Sequence, residues 1–153
     1  MSGIEDRIDR LLGSDELDVV EFGFLEREGE VAFDALRMRI GGLESRELVR
    51  ALTMLLRLTR QFSFRKLPDA VRIALTYAES ADPVVRSAAV GVAVAGLRVI
   101  PRYLNLPVTQ PPAPTLEDAR PTLVRALQLG VDERVRDDAE RFLSGRQTDN
   151  PPE

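Results

Sequence analysis

Leu67 to Leu97 reads LPDAVRIALTYAESADPVVRSAAVGVAVAGL, and its punctuation predicts two helices joined by a tight turn. Pro68 stands at a favoured first-turn position, and Val71, Ala74, Leu75 and Ala78 then recur at helical spacing through about Ser80. Asp82 followed by Pro83 is an N-cap with proline at the first helical position. The second helix carries Ala89, Ala93 and Leu97 and ends or kinks at Pro101. Gly91, Gly96 and several valines make it weak as an isolated helix, so tertiary packing must hold it. A two-helix unit cannot bury both its faces, and neighbours must stack on it.

Upstream, Ile4, Ile8, Leu11 and Leu12 share a helical face that ends at Gly13. Ser14 is the expected N-cap of a second segment reaching about Glu28, with Asp15, Glu16 and Asp18 in its first turn. Val20, Phe22 and Phe24 also alternate, so a strand stays open as the other reading there. A third segment runs from about Glu30 to Ile40 and stops at Gly41-Gly42. Ser45 opens the clearest helix, which closes near Arg60; Leu48, Leu52 and Leu55, with Val49 and Leu56, form a band wide enough for burial on two sides. Downstream, Asn105 to Pro114 is a proline-rich, extended connection. Thr115 to Leu129 follows, kinked or reset at Pro121, and the last helix spans Asp132 to Leu143. The residues from Gly145 onward are expected to be a disordered tail.

Eight segments in four pairs invite a repeat search. Second helices share a signature near their starts: Val49-Arg50, Val85-Arg86 with Asp82 and Ala89, and Val135-Arg136 with Asp132 and Ala139. The first two Val-Arg pairs lie 36 residues apart and the next interval is 50, much of the excess being the proline-rich insertion. Residues 67–97 resemble a HEAT repeat, with proline near the start of the first helix, an Asp-Pro turn, then Val-Arg and small residues along the second. Residues 119–143 resemble a second copy, and residues 30–60 a degraded one with Arg46 in place of the turn aspartate; residues 4–28 fit by length. The resemblance implies an all-α, short right-handed α-solenoid of about four antiparallel helical hairpins. It would form a single domain over residues 1–144, with the insertion at 105–114. It also implies that Asp82 with Arg86, and Asp132 with Arg136, tie adjacent units together. An irregular helical bundle is the competing arrangement of the same helices.

The chain has 153 residues, 44% of them hydrophobic and 30% charged, the balance of an ordinary globular protein. It contains neither cysteine nor histidine. Disulfides, thiolate nucleophiles, zinc fingers and imidazole-based triads are therefore excluded. No Gly-rich phosphate loop is present, and Asp15, Glu16 and Asp18 lack the spacing of a calcium loop. Glu79 and Asp82 form at most a non-specific two-carboxylate pair. No cofactor or metal is implied, and an enzyme is not expected. The acidic opening residues lack the apolar core of a signal peptide, and the apolar stretch Ala88 to Leu97 is too short to span a bilayer; a cytoplasmic protein is expected.

The net charge of −4 hides an uneven layout: −7 over residues 1–44, +6 over 45–110 and −3 over 111–153. Such a layout predicts a charged partner for the middle segment, or electrostatic contact between copies of the chain. Arg46, Arg50, Arg57 and Arg60 recur along one face of the Ser45 helix, with Thr53 in the gap, and Arg65 and Lys66 follow, interleaved with Phe62 and Phe64. The bland reading of this row is a solvated face with Arg50 serving a structural ladder, and of the two phenylalanines, core. In HEAT-like solenoids second helices line the concave surface, so the resemblance places the row in a groove. Arginines there can grip carboxylates or phosphates bidentately. The expected function is a protein–protein adaptor or inhibitor that receives an acidic segment of a partner. A nucleic-acid-binding module contacting phosphates through the same residues is the second reading, weakened by the acidic net charge. Gln110 to Pro114 reads as a linker at least as well as a ligand for an aromatic groove.

Overall fold

Aspartate and threonine caps decide where several helices begin. Asp18 accepts hydrogen bonds at Oδ1 from the backbone N–H groups of Val20 and Glu21, at 3.1 and 3.0 Å. Asp82 does the same for Val84 and Val85, at 2.9 and 3.5 Å. Thr115 and Asp118 close a reciprocal capping box. The computed structural model describes residues 3–61, 64–100 and 114–145, without the side chains of 60, 61 and 64. Among them are eight α-helices and one short 3₁₀ turn, and no strand: the chain is all-α. The helices are α1 (Gly3–Gly13), α2 (Val19–Glu26), α3 (Glu30–Ile40), α4 (Ser45–Gln61), α5 (Leu67–Tyr77), α6 (Pro83–Val99), α7 (Leu116–Leu129) and α8 (Glu133–Leu143); the 3₁₀ turn is Phe64–Lys66.

Most expected segments stand where periodicity puts them, and α2 is the main correction. It begins at Val19 because Asp18, not Ser14, is its cap. The Ser14 hydroxyl instead lies within hydrogen-bond reach of the carbonyls of Leu11 and Glu16, in the link between α1 and α2. The alternating Val20, Phe22 and Phe24 are helical, with Phe22 buried and the other two exposed. α5 ends at Tyr77, three residues short of Ser80. Pro121 lies inside α7 without ending it; one turn from the capped start, it removes a single ladder bond. Asp132 precedes α8, but its carboxylate makes no cap bond; its backbone N–H donates to the Ser87 hydroxyl at 2.8 Å. Residues 101–113 and 146–153, which hold Pro101, most of the proline-rich insertion and nearly all of the tail, lie outside the described residues.

The chain divides into two compact units, Met1–Leu67 and Pro68–Glu153. In the first, α1 packs against α2, α3 and α4, and α3 against α4. Its core is built from Ile8, Leu11, Phe22, Leu25, Phe33, Leu36, Leu52 and Leu55, all essentially inaccessible to solvent. α4 buries Leu48, Ala51, Leu52, Met54, Leu55 and Leu58, as its wide apolar band predicts. In the second unit, α6 packs against both α7 and α8, and α7 against α8. α6 buries Val85, Ala89, Val90, Val92, Ala93, Val94 and Leu97, residues spread around most of its circumference. That burial supplies the packing its valines and glycines require.

Within the second unit, Arg86 ties the start of α6 to the end of α7 and to the turn before α6. Its side chain lies inside the unit, with the residue 8% exposed. Nε donates to the Gly130 carbonyl at 2.6 Å, Nη1 to Ser80 at 2.7 Å and Nη2 to Leu129 at 3.2 Å. The last carbonyls of α7 have no partner within their own helix, and a guanidinium is both a donor fork and a counter-charge for the helix dipole. Arg136 adds a bond to the Leu127 carbonyl at 2.7 Å and pairs with Glu140 at 3.6 Å. The tie between neighbouring helices thus runs from arginine to helix-end carbonyls. Replacing Arg86 by Met is expected to destabilise the protein by about 2–4 kcal/mol, since several charge-assisted bonds vanish and part-buried carbonyls lose their donor. Arg86→Lys should recover little, because an ammonium lacks the planar fork; urea denaturation followed by circular dichroism reads both.

Candidate binding surface

α4 carries the cationic row, and side chains from the loop after α1, from α2 and from α3 reach it. At the start of α4, Arg46 pairs with Asp15 at 3.4 Å, both side chains remaining well exposed. One turn on, Arg50 plays a different part. Its Nη1 donates to the Leu11 carbonyl at 2.6 Å and the Ser14 hydroxyl at 3.1 Å, and its Nη2 to the Asp15 carbonyl at 3.1 Å. It closes the C-terminal end of α1 as Arg86 closes that of α7. Thr53 turns its hydroxyl back to the Val49 carbonyl at 3.1 Å. Arg57 lies over the ring of Phe22, 5.1 Å from its centre. The side chain of Arg60 lies outside the described residues, as do those of Phe62 and Phe64.

Beyond α4 the same pattern continues. Arg65 stands 3.9 Å from Glu30, and Lys66 stands 3.2 Å from the Asp34 carboxylate. Arg37 approaches that same Oδ1 at 3.5 Å, and the oxygen accepts no hydrogen bond despite its burial. Charge proximity without hydrogen-bond geometry is what holds this cluster. Acids from the −7 segment therefore already lie along the positive row inside one unit. Arg50 and Arg57 are committed to the fold, whereas Arg46 and Arg65 keep 62% and 71% of their side chains open to solvent. Exposed pairs of this kind are worth about 0–1 kcal/mol, so an incoming carboxylate can replace Asp15 or Glu30 at little cost.

α2 presents a second surface, which periodicity alone had not singled out. Phe22 and Leu25 point into the core, while Val19, Val20 and Phe24 are 66%, 72% and 47% exposed. The guanidinium groups of Arg7 and Arg27 lie over the Phe24 ring, at 5.0 and 5.6 Å. Glu21, on the flank of α2, pairs with Arg10 at 2.6 Å and Arg7 at 3.7 Å. The spacing of Val20, Gly23, Phe24 and Arg27 is the helical signal that could have found this face; the rival strand reading of the same residues hid it.

The other sequence candidates have structural work. Glu79 receives Arg125 bidentately, at 2.9 and 3.1 Å. Those hydrogen bonds, helped by the charge of Arg125, outweigh the opposing desolvation and hold its carboxyl below the ordinary range, the wrong direction for a general acid. Asp82 and Asp18 cap helices, and Asp15 pairs with Arg46. Among the described residues no group of three or more carboxylates is placed to hold a metal ion. Residues 110–113 of the proline-rich stretch lie outside the described residues.

No protein-family model, no curated protein and no solved structure matches the chain. Two measurements check the geometry of the arginines. Arg50→Met is expected to lower stability by about 1–3 kcal/mol, through the lost helix-end bonds, whereas Arg46→Gln and Arg65→Gln should each change it by less than about 0.5 kcal/mol. In a carboxyl NMR titration, Glu79 should ionise at lower pH than a free glutamate. Its pairing with Arg125 is then present at neutral pH and lost as pH falls through that depressed value. Arg125→Gln should return the Glu79 midpoint toward the ordinary one.

Proposed function

We propose that the protein is a non-enzymatic adaptor or inhibitor that binds an acidic segment of another protein along the cationic row of α4 and the turn after it. The observation that carries this reading is the set of carboxylates already seated there: Asp15 on Arg46, Glu30 on Arg65 and Asp34 on Lys66. The row accepts carboxylates one by one, at two positions through exposed and weakly held pairs. An acidic segment supplies several carboxylates in one chain and competes by multivalency rather than by a stronger single contact. The contact set centres on Arg46 and Arg65, flanked by Lys66; Arg60 belongs to it by its place in the sequence row. Arg50 and Arg57 position the helix on α1 and α2.

The paired helices, the recurrent Val-Arg at the start of second helices and the packing of α6 on α8 support a HEAT-like stacking of hairpins. In that reading the chain is a short right-handed solenoid whose second helices line the groove where the partner lies. Among the described residues no helix is long and apolar enough to cross a membrane, in keeping with a cytoplasmic setting.

A fluorescein-labelled peptide of about twelve residues rich in glutamate and leucine tests the proposal by anisotropy. Binding is expected at low salt, with weakening between about 50 and 200 mM as screening grows. The Arg46→Glu plus Arg65→Glu variant should bind at least about tenfold more weakly, the equivalent of about 1.4 kcal/mol. Unchanged binding by that variant removes the row as the site. Oligonucleotides are the control: tighter binding to them than to the peptide, with a steep salt slope, would favour phosphate recognition instead.

A further inference from the structure

Along the cationic row, every cation with a described side chain except one has its charge or its donors taken up within the unit. Arg46, Arg65 and Lys66 stand beside carboxylates, and Arg50 gives Nη1 and Nη2 to acceptors at Leu11, Ser14 and Asp15. Arg57 is the exception. Its guanidinium lies over the Phe22 ring, yet among the described residues no acceptor takes a hydrogen bond from it and no carboxylate pairs with it. The residue is half-buried. Among the described residues, the one buried side-chain polar atom left without a hydrogen bond is Asp34 Oδ1. The unbonded nitrogens of Arg57 therefore reach solvent.

We infer that Arg57 is the anchor of the row, the cation that takes a carboxylate of the acidic segment bidentately while Phe22 backs it. This rests on the reading of the row as a site for such a segment. A guanidinium carries its N–H groups at the edge of its plane, so a ring against its face leaves those donors available. Phe22 is fully buried and fixed in the core, which leaves the side chain laid over it less freedom to lose when a ligand arrives. Arg46 and Arg65 must release Asp15 and Glu30 before they bind, whereas Arg57 has no such partner to release. Its partial burial also strengthens a charge-assisted contact made there, relative to the solvent-screened pairs at the exposed positions. Carboxylate is the ligand chemistry already seated on the neighbouring cations, and the planar fork matches it. Arg57 thus serves twice: its face holds α4 to α2, and its edge meets the partner.

The glutamate- and leucine-rich peptide, read by anisotropy at low salt, tests this on the full chain. Arg57→Met keeps the apolar stem over Phe22 and should bind at least about tenfold more weakly with its helical circular dichroism intact. Arg57→Lys keeps stem and charge but lacks the fork, and should still lose at least about threefold. Arg46→Gln and Arg65→Gln should each lose less than about fivefold, as exposed pairs do. In an Nε–Hε NMR spectrum the Arg57 signal, assigned by its disappearance in Arg57→Lys, should shift as peptide is added and exchange more slowly with water. A purely structural Arg57 would show neither the loss in Arg57→Lys nor the slowed exchange. Peptide binding that Arg46→Glu plus Arg65→Glu abolishes but Arg57→Met leaves unchanged overturns the anchor and keeps the row. Full binding by Arg57→Lys overturns the bidentate contact. A wild type that binds no peptide removes the row and the anchor together.

Discussion

Every α-helix ends in carbonyls that no N–H of its own can reach, and in this chain arginines reach them. Arg50, in the opening turns of α4, closes the end of α1; Arg86, in the first turn of α6, and Arg136, in the first turn of α8, converge on the end of α7. Arg120 does the same for Leu143, the last residue of α8, at 3.2 Å. A guanidinium is suited to this work because it never loses its charge, donates in several directions within one plane and complements the negative end of the dipole. Packing of the apolar faces brings these helix ends together, and the arginine hydrogen bonds then tie each end to the helix that reaches it.

The same requirement shapes the surface. Once Arg50 is committed to α1 and Arg57 to Phe22, the row along α4 divides into residues that build the unit and residues left at its edge. The edge residues meet acids from the preceding segment, Asp15 from the loop before α2 and Glu30 and Asp34 from α3, so the opposite charges of the two segments are partly satisfied within the unit. These pairs are long or exposed, and solvent screening keeps them weak. Weak pairs of this kind exchange their counter-charges readily. α2 solves a different problem: its apolar residues face both inward and outward, and two arginines drawn over Phe24 cover only part of what remains.

Much of the helix pattern was legible from residue types. Gly13, Gly41-Gly42 and Gly130 punctuate the chain, Asp82-Pro83 marks the start of α6, and the leucines of α4 show its broad buried side. Local chemistry misled at α2, where Ser14 and Asp18 are equally good caps by type. The choice fell to Asp18 because Ser14 is engaged by Arg50, thirty-six residues later in the chain. Asp132 shows the same limit: the residue type promises a cap, but its backbone N–H is drawn to Ser87 on α6 and its carboxylate is left outside.

What residue order determined by itself is therefore whatever depends on near neighbours: helix periods, most helix ends, the uneven charge, and the absence of thiol and imidazole chemistry. Only tertiary structure decided which arginines build the fold and which stay at the surface in exposed pairs. Arg46 and Arg50 lie one turn apart on the same helix and are identical in type. They differ only in whether a helix end from elsewhere in the chain stands within reach. That proximity is set by packing of the apolar faces, and no local pattern encodes it.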